Sequence, residues 1–209
     1  MAPTRIKICG VTREADAVRA AELGAAFVGL NFWPGSPRCL EMDPARRIAE
    51  QVRGKVEVVG VFVDQPAELV HEVSDRVGLD LVQFHGNEEP GLVGMFGDRA
   101  IKVFRIGADF DSSVLSEFPD VWGYLFDCDH PTLFGGSGVA WPYERVADVS
   151  RSKPIIIAGG LRPSNVAEAI ARSGADIVDV SSGIESQPGF KDSESMERFI
   201  HEVHHAEEE

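Results

Sequence analysis

In the stretch RIKICGVTREADA, residues 5–17, a β-branched run hands over to a helical pattern, and Cys9 and Gly10 stand at the join. A cysteine on a strand is usually a small buried hydrophobe. At a strand end facing an anion site, with Lys7 and helix N-termini nearby, the same thiol would be drawn from a pKa of about 8.5 toward neutrality and act as a base. Asp127 closes the apolar run WGYLFD, residues 122–127. A carboxylate there either caps loop N–H groups or, held by burial in its protonated form, serves as a general acid. One base and one acid facing each other make a proton-transfer site.

Two further stretches suit an anion. In AGGLRPSNV (158–166) and DVSSGIE (179–185), Gly159, Gly160, Ser182 and Gly183 let backbone N–H groups come close to a negative charge. A helix expected to start at Pro163-Ser164-Asn165 would add its N-terminal dipole. Arg38, in SPR (36–38), offers a guanidinium fork for a carboxylate or an aromatic face, or a surface salt bridge. His85 could orient a loop or contact substrate, and reads first as a histidine satisfied by its neighbours; Lys7 reads as a filler or neutraliser of an interior. No tight cluster of His, Asp, Glu or Cys has metal-ligand spacing, so no metal is expected.

The elements that must position these residues repeat one rhythm of apolar strand, turn and helical pattern. Strands are expected near 5–9, 26–31, 56–63, 80–84, 100–105, 122–127, 154–158 and 176–180. Helices fall near 13–23, 43–53, 66–77, 88–96, 112–117, 142–149, 163–173 and 192–203, the fifth and sixth with the weakest patterns. Three helices end on a glycine just before a strand, as in LGAAFVGL (23–30), VGLDLVQF (77–84) and SGADIVDV (173–180). Eight units with near-continuous apolar strands predict a compact α/β fold, a single-domain (β/α)8 TIM barrel over 1–209, its acidic end 204–209 solvated. An open doubly wound sheet is the alternative. In a barrel, Cys9, Arg38, His85 and Asp127 fall at C-terminal strand ends or the loops after them, where active sites sit, and Asp179 lies on strand eight.

The formal net charge of −14 speaks against nucleic acid as a partner, since phosphate backbones need clustered Lys and Arg. A small anionic substrate stays open, because local donors outweigh a screened overall field. No apolar run nears the ~20 residues of a membrane span. The start MAPTRIKI lacks a secretory pattern, and Cys9, Cys39 and Cys128 are widely spaced, so free thiols and a cytoplasmic setting are expected.

Seven segments taken in order, KICGVT (7–12), SPR (36–38), VGVFVD (59–64), VQFHGNE (82–88), GGSG (135–138), AGGLRPSNV (158–166) and DVSSGIESQPGFKD (179–192), resemble the phosphoribosylanthranilate isomerase family. The resemblance runs from residue 5 to about 200. It implies an Amadori rearrangement of a small phosphosugar-anthranilate substrate, with no metal or organic cofactor. It also implies Cys9 as the base that takes the C2′ proton and Asp127 as the acid that protonates the furanose oxygen, with Arg38 and Asp179 near the anthranilate part. After GGSG the family commonly continues with a Phe-Asp-Trp element, whereas this chain reads VAWPY (139–143). Two other readings compete. A related histidine-pathway isomerase carries Asp where Cys9 stands and a second phosphate site, and neither is found here; a binding-only barrel would have little use for both Cys9 and Asp127.

Overall fold

The computed structural model describes residues 3–107, 109–128, 141–149 and 152–206. The Val-, Ile- and Phe-rich runs form β1 (Arg5–Cys9), β2 (Phe27–Asn31), β3 (Glu57–Phe62), β4 (Leu81–Phe84), β5 (Ala100–Ile106), β6 (Gly123–Cys128), β7 (Ile155–Ile157) and β8 (Ile177–Val180). Each pairs in parallel with the next and β8 returns to β1, so the sheet closes into a barrel and leaves no open edge. The open-sheet alternative is thereby excluded. At the closing seam Lys7 is the register partner of Asp179.

Alternation along the strands sorts side chains into two cores. Residues such as Ile6, Ile8, Val28, Phe84, Phe126 and Ile157 face outward and pack under the helices. Phe27, Val59, Leu81, Ile101, Val103, Leu125, Ile156, Ala158 and Ile177 fill the barrel itself. At its lower end the Arg5 guanidinium lies 5.1 Å from the Phe27 ring and 5.5 Å from Trp122, covering that core with a cation–π cluster. The apolar packing therefore ends below the strand tips and leaves the upper layer to polar groups.

Helices α1 (Glu14–Glu22), α2 (Met42–Val52), α3 (Ala67–Val77), α4 (Pro90–Gly94), α5 (Val166–Ser173) and α6 (Ser193–His205) surround the barrel. Gly78 and Gly174 end α3 and α5 in left-handed conformations, at φ 77° and 58°, as the helix-glycine-strand pattern predicts. The two weakest helical patterns form only 3-10 turns, Ser112–Glu117 and Tyr143–Val146. Both segments are short and carry few apolar positions to bury, so tertiary packing holds a tighter, shorter turn. The helix expected from residue 163 begins instead at Val166, because Asn165 spends its side chain on the preceding loop. Helix α6 continues to His205, so the first residues of the expected tail 204–209 are an exposed helical turn, while 207–209 lie outside the described residues. A small hairpin of β9 (Glu185–Gln187) and β10 (Phe190–Lys191) follows β8; nothing in the hydrophobic pattern announces it. No helix among the described residues is long and apolar enough to cross a membrane.

Leu125 is fully buried inside the barrel. Leu125→Ala is expected to lower the unfolding free energy by about 2–5 kcal/mol in urea titrations, and a loss below about 1 kcal/mol would show that the inner core can collapse around the cavity.

Candidate active site

The strand tips open into a cleft of about 270 Å³. Cys9 from β1, Asp127 from β6 and Asp179 from β8 face it, together with Arg38, Gly159, Gly160 and Ser182 from the loops after β2, β7 and β8. Seven of the eight residues singled out from sequence thus share one cavity; Gly183 stands beside it. The strand-end assignments shift slightly: β6 runs one residue past Asp127, and His85 follows the last residue of β4.

Cys9 is half-buried, with Lys7 and Asp179 behind it. A methyl placed on Gly29 of the neighbouring strand would sit 2.9 Å from Cys9 Sγ and 3.2 Å from Lys7 Nζ, so the bare glycine leaves room for thiol and ammonium together. Lys7 Nζ donates to Asp179 Oδ1 at 3.0 Å, both groups being buried. Burial opposes the Lys7 charge, yet Asp179 and Cys9 hold its pKa above the ordinary value. For Cys9 the balance runs the other way from the expected shift toward neutrality. Burial, reinforced by the Asp179 charge, pushes the thiol up, and the attraction of Lys7 and Lys191 does not offset it.

Asp127 is buried, and its two oxygens are held from different sides. Oδ1 accepts from the Cys128 N–H at 2.7 Å, and Oδ2 lies 3.3 Å from His85 Nε2. The capping contact that the sequence offers as one alternative thus occupies Oδ1, and Oδ2 is the oxygen beside His85.

The loops after β7 and β8 are built for close backbone approach. Gly159 and Gly160 have φ of 82° and 68°, a left-handed pair that L side chains rarely adopt. A Cβ on Gly159 would meet Asp127 Oδ1 at 2.5 Å, so the same glycine lets the loop lie over the carboxylate. Gly183 packs against Leu161, whose carbonyl oxygen would be 1.9 Å from any Cβ there. It is the contact point of the two loops. Asn165 ties the first loop down by donating to Gly160 O at 3.0 Å and accepting from Arg162 N at 2.8 Å. GGSG and the first two residues of VAWPY lie outside the described residues. The last part of VAWPY also braces this loop: Trp141 Nε1 donates to Ala158 O at 2.8 Å and the Tyr143 hydroxyl to Gly159 O at 2.6 Å.

Arg38 is no surface residue. Its Nε and Nη2 grip Glu185 at 2.9 and 2.6 Å. Glu185 also accepts from the buried Lys191 at 2.8 Å. Burial works against its charge, but the hydrogen bonds from Arg38 and Lys191 hold the Glu185 carboxyl below the usual range. Among the described residues no group of three His, Cys, Asp or Glu side chains could hold a metal ion.

Comparison with known proteins decides the family. The model of the N-(5′-phosphoribosyl)anthranilate (PRA) isomerase family matches residues 6–202. The chain belongs to that family. N-(5′-phosphoribosyl)anthranilate isomerases of Acidithiobacillus ferrooxidans and Geobacter sp. strain M21 are 44% and 40% identical to it, over 97% and 96% of this chain and 98% of each relative. The crystal structure of phosphoribosyl anthranilate isomerase from Thermotoga maritima superposes with a TM-score of 0.89 at 33% identity, covering 97% of this chain and 99% of that one. A phosphoribosyl anthranilate isomerase solved in complex with reduced 1-(o-carboxyphenylamino)-1-deoxyribulose 5-phosphate gives 0.82 at 33% identity, with the same coverage.

Within this isomerase barrel, sequence reasoning passed over Asn31, Trp33, Ser181 and Pro188, which also line the cleft. Trp33 carried a signal, an aromatic in a Gly/Pro-rich loop after a strand. Lys191 and Glu185 carried none, since what sets them at the rim is the grip of Arg38 on Glu185, 147 positions away in the chain.

Gly183→Ala is expected to displace the loop after β8 from the loop after β7 and to lower kcat/KM about 10²-fold, read from steady-state kinetics on a phosphosugar substrate; an unchanged value would mean that the loops do not have to touch.

Proposed function

We propose that the chain catalyses the Amadori rearrangement of N-(5-phosphoribosyl)anthranilate to 1-(2-carboxyphenylamino)-1-deoxyribulose 5-phosphate in tryptophan biosynthesis, with Cys9 as base and Asp127 as acid. The observation that carries this reading is the meeting of Cys9, Asp127 and the Gly159–Gly160 and Ser182 loops in one cleft. Backbone N–H groups of Gly160, Ser182 and Gly183 hold the substrate phosphate, and that remote binding orients the reacting carbons. The anilino nitrogen pushes its lone pair toward C1′ while Asp127 gives its proton to the ring oxygen, so the C1′–O bond breaks without releasing a bare alkoxide. The resulting iminium acidifies the C2′ hydrogen, which Cys9 takes as thiolate. C1′ then gains a proton as the C2′ hydroxyl loses one, and the enaminol becomes the ketose.

The surroundings of Cys9 suit this sequence of events. Lys7 and Lys191 favour the thiolate, while burial and Asp179 oppose it, so the base gains its charge chiefly when the cationic iminium stands before it. Arg38 keeps its Nε–Nη2 edge on Glu185 and turns Nη1 to the anthranilate carboxylate. Asp179, anchored by Lys7, borders the same end of the cleft. Placement in the cytoplasm belongs to the same reading, supported by the free thiols of Cys9, Cys39 and Cys128.

Turnover of freshly generated phosphoribosylanthranilate, followed by loss of anthranilate fluorescence, tests the reaction. Cys9→Ala and Asp127→Ala are each expected to lower kcat at least ~10²-fold, and near wild-type kcat in either would remove that residue from its role. Because burial raises the thiol of the free enzyme, the Cys9 thiolate, read as the ultraviolet absorbance difference between wild type and Cys9→Ala along a pH titration, is expected to form only above about 8.5; a thiolate signal already complete at pH 7 would contradict the burial argument.

A further inference from the structure

Gln83 and His85 have no part in the acid–base pair, yet both point up the barrel toward it. Gln83 is completely buried on β4 at the level of the polar layer, and its single polar contact among the described residues is to His85 Nδ1, at 2.9 Å. His85 itself is anchored from the backbone, its N–H donating to Phe62 O at 2.8 Å. The loop behind it is pinned by Glu88, which accepts from Gly86 N at 2.9 Å and from Lys102 Nζ at 2.7 Å. The ring is thus fixed in place, with its Nε2 3.3 Å from Asp127 Oδ2. When the Gln83 amide donates to Nδ1, that nitrogen is an acceptor and the neutral ring carries its proton on Nε2.

We infer that His85 is a positioning residue for the acid step: Gln83 holds it in the Nε2–H tautomer, and Nε2–H donates to Asp127 Oδ2. This rests on the reading of Asp127 as the acid. Before ring opening the contact sets the carboxyl plane while the Cys128 N–H holds the other oxygen. As the proton leaves for the furanose oxygen, negative charge develops on Asp127 and the long contact tightens into a charge-assisted hydrogen bond. The proton on Nε2 stays on the ring throughout, so His85 adds no proton-transfer step.

The consequence is a kcat effect without a binding effect. His85→Leu is expected to lower kcat about ten- to a hundredfold with KM changed less than threefold, and His85→Gln, which restores an amide donor, to recover part of the loss. Nitrogen-15 NMR of histidine-labelled wild type, with the His85 signals assigned by their loss in His85→Gln, is expected to show the Nε2–H tautomer. Gln83→Leu keeps the ring and is expected to yield mixed tautomers and a several-fold lower kcat, which serves if His85→Leu fails to fold. An Nδ1–H tautomer in the wild type, or a kcat unmoved by both His85→Leu and Gln83→Leu, overturns the inference. Asp127→Ala run alongside separates the two readings. If it retains activity, Asp127 is not the acid; if it is inactive while the His85 and Gln83 variants match wild type, Asp127 stands and His85 does not position it.

Discussion

A buried ammonium inside an apolar barrel is tolerable only beside an opposite charge, and Lys7 finds its partner across the seam where the barrel closes. Lys7 and Asp179 are register partners on β1 and β8, 3.0 Å apart and shielded from solvent. Removing one member of a buried pair typically costs about 3–5 kcal/mol, because the other charge is left unpaired. That penalty selects one register for the seam. A slip by one residue would turn Lys7 and Cys9 to the outer face and bring Ile6 and Ile8 inward. The side of the sheet on which the thiol stands is therefore decided by the ion pair beneath it, and the loop after β8 is brought to the same corner.

Above the seam, the upper layer of the barrel is polar where the lower layers are apolar. Lys7, Gln83, Asp127 and Asp179 are all buried there, on top of the core built from Phe27, Leu81, Leu125 and Ile177. Such a layer forgoes apolar packing and is stable only when its groups satisfy one another. Lys7 answers Asp179, and Asp127 is met by Cys128 and His85. The groups proposed for catalysis are held by the same contacts that make their burial possible.

The rim follows a similar logic. Glu185 gathers Arg38 and Lys191, and the hairpin of β9 and β10 places it there. The loops after β7 and β8 are joined at Gly183, and the first is braced from outside by Trp141 and Tyr143. Trp141 and Tyr143 fasten the loop after β7 through their hydrogen bonds to Ala158 O and Gly159 O.

Strand positions, the eightfold rhythm, the glycine helix stops and the cleft residues were legible in the sequence because each rests on a local cause. Apolar periodicity, turn chemistry and a cysteine or aspartate at a strand end are all visible within a dozen residues. What needed the folded chain depends on charges that meet across it. The upward shift of the Cys9 thiol reflects Asp179, 170 positions away, and no window of sequence sums burial against Lys7, Lys191 and Asp179. Likewise Arg38 reads as a free fork until Glu185 closes on it, and His85 as an ordinary histidine until Gln83 and Asp127 are set on either side. Local pattern specifies which elements form; barrel closure specifies which charges share a desolvated space, and Coulomb energy in that space depends on separation rather than on sequence distance.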